Sequence, residues 1–329
     1  MELNERLAQA VRSEFPKKNI LVLGDLMVDK YTLGKVNRIS PEAPIQILEY
    51  GESKLTGGGA SNVTANLTAL GATVDLAGTA ARDEYGLWLR SAMRAAGVGT
   101  DCILEEAGRP TTLKERFATK SQQLLRVDRE QSGDIKEETR NAILQYLREK
   151  LDAMDAVLLS DYRKGILSSP DFVKNIISLC REHRTPVTID SKSPSISAFA
   201  GATFVKPNNL ELEQAVNMKI TDDESLDRAG KLYLETCGAQ YLIVTRGAKG
   251  ISVFSHDHPR QDFSSRALQV YDVTGAGDTV ISTITLGIVS GLSIREATVL
   301  GNLAASVVVS KTGTATVSGE ELLTRIRES

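Results

Sequence analysis

Hydrophobic residues along the chain follow two alternating patterns. Short apolar and β-branched runs predict buried strands at residues 20–23, 74–77, 156–160, 187–190, 204–206 and 241–245. Apolar residues spaced three and four apart predict helices over residues 60–70, 84–95, 136–151, 169–182, 225–235, 277–290 and 294–310. Strands that alternate with helices are typical of βαβ units around a mostly parallel sheet. The pattern therefore predicts an α/β fold.

Two stretches interrupt this alternation. In residues 31–50 and 102–129, apolar and charged positions alternate as they do in exposed antiparallel strands. Residues 1–16 carry Leu3, Leu7 and Val11 at helical spacing, which predicts an amphipathic helix on the outside of the fold rather than a signal peptide. No internal repeat interrupts the chain, so we expect one domain over residues 1–329 with two inserted segments.

Composition narrows the class of protein. The chain has 329 residues and a formal net charge of −3, which gives no reason to expect nucleic acid or an anionic membrane surface as a partner. Its apolar runs are too short to span a bilayer. Three cysteines without metal-type spacing predict reduced thiols in a cytoplasmic protein, and His256 and His258 lack further ligands for a metal.

Residues 272–279 read Asp-Val-Thr-Gly-Ala-Gly-Asp-Thr and lead into a predicted helix. The backbone N–H groups of Gly275, Ala276 and Gly277 would lie at the helix N-terminus, where unpaired donors favour a phosphate. A carboxylate beside bound phosphate is unfavourable unless it takes part in the reaction, for example by accepting a proton from an attacking hydroxyl. Asp278 is therefore a candidate general base; the alternative is a helix-capping turn with Asp278 as a first-turn charge.

The octapeptide resembles the C-terminal motif of the PfkB/ribokinase family of sugar kinases. A second family motif, Leu-Thr-Gly-Gly-Gly-Ala-Ser-Asn at residues 55–62, precedes it by about 210 residues. The resemblance implies a ribokinase-like fold in which residues 31–50 and 102–129 form a small β-sheet lid and often a dimer surface. It also implies ATP and Mg²⁺ as cofactors, an anion hole at residues 275–277 and Asp278 as the catalytic base. Activation by a monovalent cation is left open.

Polar residues near the first strand are candidate sugar ligands. Asp25 and Asp29 can accept hydrogen bonds from sugar hydroxyls, although either could instead stabilise a turn. Ligands of open parallel sheets bind beyond the carboxyl ends of the strands, which is where these residues fall. Asn62 offers a donor and an acceptor, and the backbone can approach a ligand closely at the triplet Gly57, Gly58 and Gly59.

Two further segments match family elements for the nucleotide. Asn208 and Glu211 match an Asn-x-x-Glu element that organises Mg²⁺ and its waters in the resembled enzymes; a capping Asn at a helix start explains the same letters. The matches to the family's nucleotide loop and adenine pocket are Thr245, Gly247, Gly250 and Asn302. The loop taken alone could be a hairpin turn, and Asn302 could equally be a helix-packing residue.

Cationic residues bear on the choice of sugar. Lys114 and Arg116 share a strand face, as Arg126 and Asp128 do. At two predicted strand ends a carboxylate accompanies a lysine, in the pairs Asp161 with Lys164 and Asp190 with Lys192. So many cations around one cleft favour a sugar that already carries a phosphate. The alternative is that exposed strands carry Lys and Arg for solubility.

Residues 37–44 and 122–126 resemble the D-glycero-β-D-manno-heptose 7-phosphate kinases, which supply ADP-heptose for lipopolysaccharide cores. The resemblance implies transfer of phosphate to the C1 hydroxyl, with Arg38 and the other cations as candidates to hold the 7-phosphate. In many bacteria that kinase is fused to an adenylyltransferase. The chain shows no second nucleotide-binding pattern, so we expect a stand-alone kinase. The family resemblance also implies a homodimer. Asp190-Ser-Lys192 departs from relatives, which often have Pro in the middle.

Three other functions were weighed from the sequence. Another phosphosugar or ribose kinase of the family is the nearer alternative, because a fold does not fix its substrate. A non-catalytic sugar-binding regulator is disfavoured by the intact Asp278 motif. A dinucleotide dehydrogenase is disfavoured because Gly24-Asp-Leu-Met follows the first strand in place of a G-x-G-x-x-G turn.

Overall fold

The computed structural model describes residues 3–267, 270–311, 313 and 315–329. Its strands are β1 (Asn19–Gly24), β2 (Leu26–Ile39), β3 (Gln46–Gly59), β4 (Thr73–Thr79), β5 (Ile103–Leu104), β6 (Thr112–Ala118), β7 (Gln123–Arg129), β8 (Ala156–Asp161), β9 (Val187–Ser191), β10 (Phe204–Val205), β11 (Tyr241–Thr245), β12 (Ile251–Ser255) and β13 (Gln261–Phe263). Its α-helices are α1 (Leu3–Gln9), α2 (Ala60–Ala69), α3 (Glu84–Ala95), α4 (Glu137–Lys150), α5 (Pro170–Glu182), α6 (Asn209–Val216), α7 (Asp223–Cys237), α8 (Ala276–Val289), α9 (Ile294–Val308) and α10 (Gly319–Arg327).

A nine-stranded sheet forms the centre of the described structure, in the order β13-β12-β11-β10-β9-β8-β1-β4-β5. Neighbouring strands from β5 to β11 pair in parallel, and β12 and β13 pair antiparallel at one edge. The six strands and seven helices expected from hydrophobic periodicity are all present, so the prediction of a mostly parallel α/β sheet is confirmed. The pattern missed α6, α10, β5, β12 and β13.

Helices cover both faces of this sheet. In β1, Ile20 and Val22 belong to one buried apolar cluster, whereas Leu21 and Leu23 belong to another. Because side chains alternate across a strand, a strand buried on both faces reads as a continuous apolar run. The first cluster includes residues of α2, α8 and α9, and the second includes residues of α4, α5 and α7. The result is a three-layer sandwich.

The N-terminal segment lies against the first of these clusters. The predicted helix over residues 1–16 is present as α1, followed by a wider π-helical turn over Ala10–Glu14 and a tighter 3₁₀ turn over Phe15–Lys17. Met1 and Glu2 lie outside the described residues. Leu7, Val11 and Phe15 are buried, whereas Leu3 is exposed. No helix in the described part of the chain is long and apolar enough to cross a membrane.

The order of strands reverses at β1, which lies between β4 and β8. Crevices at such a switch point, beyond the carboxyl ends of the strands, are where open α/β sheets bind ligands. The two central strands end together, since Gly24 pairs with Ser160 and the Asp25 N–H donates to the Ser160 carbonyl at 3.1 Å. The loops that follow β1 and β8 are therefore neighbours at this edge.

A separate four-stranded sheet, in the order β3-β2-β6-β7, contains most of the two segments that break the alternation. The start of the second segment was predicted wrongly, because β5 pairs with β4 in the central sheet. It starts earlier and runs longer than predicted, because β2 begins at Leu26 and β3 continues to Gly59. The expectation of purely antiparallel strands is wrong for one pair, since β2 and β6 run parallel. A parallel pair needs a long crossover, and the chain supplies one through α2, β4 and α3 between β3 and β6.

Candidate active site

A cavity of about 520 Å³ opens at the carboxyl edge of the central sheet. It brings together segments that are far apart in sequence, from the loop after β8 to α9. The predicted site residues that line it are Asp190, Lys192, Asn208, Glu211, Thr245, Gly247, Gly250, Gly275, Ala276, Gly277, Asp278 and Asn302. Below, this cavity is called the cleft.

Asp278 lies in the first turn of α8 and is only 5% exposed. Each of its carboxylate oxygens accepts one hydrogen bond: Asn62 Nδ2 donates to Oδ2 at 2.6 Å, and the Tyr162 hydroxyl donates to Oδ1 at 2.8 Å. A carboxylate oxygen has two lone pairs. Asp278 therefore keeps acceptor capacity for a hydroxyl group of a substrate.

The surroundings of Asp278 oppose one another in their effect on its charge. Burial and the negative charge of Asp190 raise the pKa of Asp278 to about 6, while hydrogen bonds from Asn62 and Tyr162 and the charge of Lys206 act in the opposite direction. A general base works best when its pKa lies near the operating pH. Asp278 is ionised at neutral pH and yet basic enough to accept a proton.

Buried hydrogen bonds between α2 and α8 fix the position of Asn62 relative to Asp278. The Thr279 hydroxyl donates to Asn66 Oδ1 at 2.7 Å, and Asn66 Nδ2 donates to the Asn62 carbonyl at 2.9 Å. The Ser282 hydroxyl donates to the Val63 carbonyl at 3.3 Å. Since all of these groups are buried, the two helices can shift apart only by leaving polar atoms unpaired.

The start of α8, where the sequence predicts an anion hole, has backbone amides that are unpaired among the described residues. Gly275 precedes the helix with φ of 82°, a left-handed conformation that favours glycine. The Ala276 N–H already donates to the Val273 carbonyl at 3.2 Å. Within the part of the chain that the structure describes, the N–H groups of Gly275 and Gly277 have no such partner. These two amides, rather than all three, remain for a phosphate.

Lys206, which the sequence analysis assigned only to a strand, faces this anion hole. Its side chain is 3% exposed, and its Nζ lies 3.0 Å from Asp190 Oδ2. A Cβ built on Gly277 would lie 3.3 Å from that Nζ, so the ammonium group is beside the first turn of α8. Burial alone would lower the pKa of Lys206, but the carboxylates of Asp190, Glu211 and Asp278 more than offset it and raise that pKa. Lys206 therefore carries a fixed positive charge into the cleft.

Asn208 and Glu211 form a reciprocal cap at the start of α6. The Asn208 side chain accepts from the Glu211 N–H at 2.9 Å, and Glu211 Oε2 accepts from the Asn208 N–H at 2.8 Å. The capping alternative is thus realised, although it leaves Glu211 Oε1 without a hydrogen bond among the described contacts. Burial and the nearby Asp190 raise the pKa of Glu211, although the charges of Lys206 and Lys192 act in the opposite direction.

These carboxylates fit a divalent ion that keeps most of its water. Among the described residues no group of three or more His, Cys, Asp and Glu side chains is arranged to hold a metal directly. Mg²⁺ prefers oxygen ligands, retains several waters and usually binds through one or two carboxylates together with phosphate oxygens. Glu211 and Asp190 supply such oxygens beside the anion hole.

The predicted nucleotide loop lies at the other end of the cleft. Thr245 ends β11 and its N–H donates to the Pro207 carbonyl at 3.0 Å, which places the loop beside Asn208. Gly247 has φ of 57° and open space where a Cβ would be. A Cβ at Gly250 would overlap the Phe263 carbonyl, so packing of the hairpin requires this glycine. Asn302 Nδ2 donates to the Ser264 carbonyl at 2.6 Å and thereby holds the same segment.

Asp29 and the glycine triplet meet at the base of the small sheet. The carboxylate of Asp29 accepts a charged hydrogen bond from Arg116 on the neighbouring strand β6. A Cβ at Gly58 would overlap Asp29 Oδ2, so this glycine makes room for the carboxylate. Gly57 and Gly59 are likewise crowded, by Ser61 and by the Asp25 backbone. Close approach within the chain thus accounts for the triplet before any ligand is considered.

Two of the predicted sugar ligands, Asp25 and Asp161, accept hydrogen bonds from the loop after β8. Asp25 is 1% exposed and accepts backbone N–H groups of Tyr162, Lys164 and Ile166 at 2.8, 2.9 and 3.1 Å. Asp161 is 3% exposed and accepts from the Ser191 hydroxyl and the Arg163 N–H at 2.6 and 2.7 Å. These contacts stabilise the loop after β8, and neither residue lines the cleft. Each oxygen of Asp161 accepts one hydrogen bond, as in Asp278, so a role of Asp25 or Asp161 in binding substrate stays a prediction.

The predicted phosphate-binding cations differ in their partners. Three of them form ion pairs with the chain itself: Arg116 with Asp29, Arg126 with Asp128, and Lys164 with Glu130. Lys192 lies over the Tyr162 ring, 4.1 Å from its centroid. Arg38 is exposed, nine residues beyond Asp29 on β2, which is roughly 30 Å along a strand. Within one chain, the structure does not bring Arg38 to the cleft.

Lys114 differs from the other cations. It pairs in register with Asp29, is partly buried, and has no hydrogen bond or ion pair among the residues that the structure describes. Burial and the positive charge of Lys164 lower the pKa of Lys114. The carboxylates of Asp29, Asp128 and Glu130 act in the opposite direction. Lys114 therefore remains a candidate cation for an anion, because it has no ion pair of its own in the described part of the chain.

Comparison with known proteins identifies the family. The sequence profile described as "pfkB family carbohydrate kinase" matches residues 17–321. The chain belongs to the pfkB family of carbohydrate kinases. Among its relatives are proteins named "Bifunctional protein HldE" from Desulfatibacillum aliphaticivorans, 40% identical over 96% of this chain, and from Geobacter sulfurreducens, 39% identical over 93%. The chain spans 64% and 62% of the length of these two relatives.

Solved structures show the same fold across the pfkB family. Arabidopsis thaliana ribokinase complexed with ribose and ATP superposes with a TM-score of 0.77 at 19% identity, covering 95% of this chain and 99% of that one. Phosphofructokinase-2 from Escherichia coli in complex with potassium has a TM-score of 0.76 at 18% identity, covering 94% of this chain and 98% of that one. The predicted ribokinase-like fold with a separate small sheet is confirmed.

We predict that Lys206→Met lowers kcat by about 100-fold, because the anion hole loses its buried positive charge. Methionine has a similar length, so circular dichroism and thermal unfolding should show a folded protein. Lys18→Met is the matched control, since Lys18 pairs with Asp155 at 3.4 Å outside the cleft. Steady-state ADP release makes the measurement, and near-normal kcat for the Lys206 variant would contradict this role.

Proposed function

We propose that this chain transfers the γ-phosphate of ATP to the C1 hydroxyl of D-glycero-D-manno-heptose 7-phosphate, giving the 1,7-bisphosphate used for ADP-heptose and lipopolysaccharide core synthesis. The observation that carries a kinase reaction is Asp278, a buried carboxylate beside free helix N-terminal amides and the Lys206 ammonium. The choice of heptose rests on the resemblance of residues 37–44 and 122–126 to heptose 7-phosphate kinases. The relatives named HldE, at about 40% identity over nearly the whole chain, are compatible with it.

In this proposal Asp278 lies between the cleft, which holds ATP, and a separate sugar site under the small sheet. ATP lies along the cleft, from the Thr245 loop to Asn302. The amides of Gly275 and Gly277 and the Lys206 ammonium stabilise negative charge on the transferring phosphoryl group. Bound Mg²⁺, held through water by Glu211 and Asn208, would neutralise charge on the nucleotide phosphates.

The sugar lies on the opposite side of Asp278 from ATP, under the small sheet. Asp278 accepts the proton of the C1 hydroxyl as that oxygen attacks the γ-phosphorus, and ADP leaves from the opposite side. Asp29, held by Arg116, accepts hydrogen bonds from sugar hydroxyls, and Asn62 supports the base. The unpaired Lys114 holds the 7-phosphate by charge-assisted hydrogen bonds, and Lys164, which pairs with Glu130, adds a second positive charge nearby. A small sheet that closes as a lid would exclude water, which otherwise competes as phosphoryl acceptor.

The protein is proposed to be a homodimer and to be cytoplasmic. Exposed apolar side chains on the small sheet support the homodimer. Ile39, Tyr50, Leu125 and Val127 are between 48% and 68% exposed on this sheet or at its end. Several exposed apolar side chains on one small sheet are typical of an interaction surface. A second copy of the chain is the partner that the family resemblance implies.

We predict that Asp278→Asn lowers kcat by about 1,000-fold while sugar phosphate binding persists, because the amide fills the same space but cannot take a proton. Coupled ADP release gives kcat, and calorimetry gives the affinity for the sugar phosphate. Asp75→Asn is the control, since Asp75 accepts the Tyr146 hydroxyl at 3.1 Å outside the cleft. Near-normal turnover by the Asp278 variant would contradict the assignment of the base.

We predict that Lys114→Met raises KM for the sugar phosphate by about 10- to 100-fold, the loss expected when one charge-assisted hydrogen bond to an anion is removed. KM for ATP should stay the same, because Lys114 lies at the sugar site. Arg126→Met serves as the control cation, since Arg126 is half exposed and already paired with Asp128. An unchanged KM for the sugar phosphate in the Lys114 variant would remove this residue from the phosphate site.

A further inference from the structure

Tyr162 is a residue that no motif singled out, and it contacts the proposed base. Its hydroxyl donates to Asp278 Oδ1 at 2.8 Å across a separation of 116 residues in sequence. The ring lines the cleft on one side and lies under the Lys192 ammonium, 4.1 Å from the centroid, on the other. Lys192, Tyr162 and Asp278 thus form a continuous series of contacts from an exposed cation to a buried carboxylate.

The backbone around Tyr162 is held from two directions. The buried Asp25 carboxylate accepts the N–H groups of Tyr162, Lys164 and Ile166. Arg109, itself buried, donates to the Lys164 carbonyl at 2.9 Å. Between these contacts Arg163 has φ of 58°, which is uncommon for a residue other than glycine and persists only where the surroundings fix it. The buried charges around this loop therefore fix where the Tyr162 hydroxyl lies.

We propose that Tyr162 is a positioning residue for phosphoryl transfer, which holds Asp278 in one orientation and favours its ionised form. This inference rests on the proposed function of Asp278 as the base. Asn62 holds one carboxylate oxygen and Tyr162 holds the other, so the plane of the carboxylate is fixed while lone pairs stay available. The Lys192 charge over the ring makes the phenol a better donor.

The charges that face this pair agree with a phenol that donates and does not ionise. Burial, followed by the negative charge of Asp278 and Asp190, raises the pKa of Tyr162 well above its ordinary value. From the other elements packed around the cleft, Glu211 on α6 faces Tyr162 and Lys206 after β10 faces Asp278. Tyr162 is therefore a protonated donor at neutral pH.

The test is Tyr162→Phe, assayed as kcat/KM for the sugar phosphate against pH. A hydrogen bond to an ionised carboxylate favours the ionised form, so its removal should move the acidic limb of the profile upward by about one to two pH units. The maximal kcat should fall about 10-fold because Asp278 loses its fixed orientation. KM for ATP should not change. Titration of the sugar phosphate is common to both proteins and cancels in the comparison.

Two further proteins make the outcome specific. Tyr146→Phe removes an equivalent hydrogen bond, from Tyr146 to Asp75, away from the cleft, and should leave the pH profile unchanged. Replacement of Tyr162 by 3-fluorotyrosine keeps the shape and strengthens the donor, so it should move the acidic limb downward. This variant keeps the test available if Tyr162→Phe fails to fold.

The two assignments fail in different ways. If Asp278→Asn is inactive but both Tyr162 variants keep the wild-type acidic limb, the positioning role is wrong and the base assignment stands. If Asp278→Asn is active, the proposed function itself fails. Opposite displacements of the limb by phenylalanine and 3-fluorotyrosine would support the role of Tyr162, because a purely structural side chain would not produce them.

Discussion

The burial of the Asp278 carboxylate is the constraint on which the site depends. A charge removed from water is costly unless hydrogen bonds and opposite charges compensate it. Here the compensation comes from Asn62 on α2, Tyr162 after β8 and Lys206 after β10. Each of these residues is far from Asp278 in sequence, so the carboxylate can be satisfied only when the central sheet and the helix layer that contains α2 and α8 are assembled.

The same constraint explains polar contacts that look incidental when taken one at a time. Hydrogen bonds through Asn66 and Thr279 join α2 to α8 and keep Asn62 against the carboxylate. The Asp25 carboxylate accepts backbone N–H groups of the loop that carries Tyr162. Asp190 holds Lys206 at 3.0 Å. A base that must keep its geometry through a phosphoryl transfer needs such supporting contacts, because the reacting groups tolerate little displacement.

The sequence was sufficient for the parts of the fold that periodicity encodes. Strands buried on both faces, such as β1 and β8, read as apolar runs, and Asp278 could be assigned because glycines at a helix start carry a recognisable pattern. Periodicity cannot show which strands pair, so the parallel contact of β2 with β6 was missed. Short elements such as β13 gave too few residues for a period.

Polar residues after a strand were harder to interpret. Asp25 and Asp29 are both aspartates that follow the first strand, so the sequence does not distinguish them. In the structure Asp25 accepts three backbone N–H groups, whereas Asp29 accepts a hydrogen bond from Arg116. Tyr162 and Lys206 carry no motif at all; only the three-dimensional structure shows them beside Asp278. For Lys206 a signal did exist, since a lysine directly after a buried strand is costly unless it has a partner.

The most direct test of the account is ADP release by the purified chain with Mg-ATP and one sugar at a time: each C1 anomer of heptose 7-phosphate, fructose 6-phosphate, ribose, or none. We expect selective turnover of one heptose 7-phosphate anomer, because Lys114 and Lys164 would bind the phosphate group of the sugar. We expect little ATP hydrolysis without sugar, because Asp278 would then have no sugar hydroxyl from which to accept a proton. Preference for ribose would contradict the phosphate site, and preference for fructose 6-phosphate would contradict the choice of heptose. Absence of turnover with every sugar would contradict the kinase reaction itself.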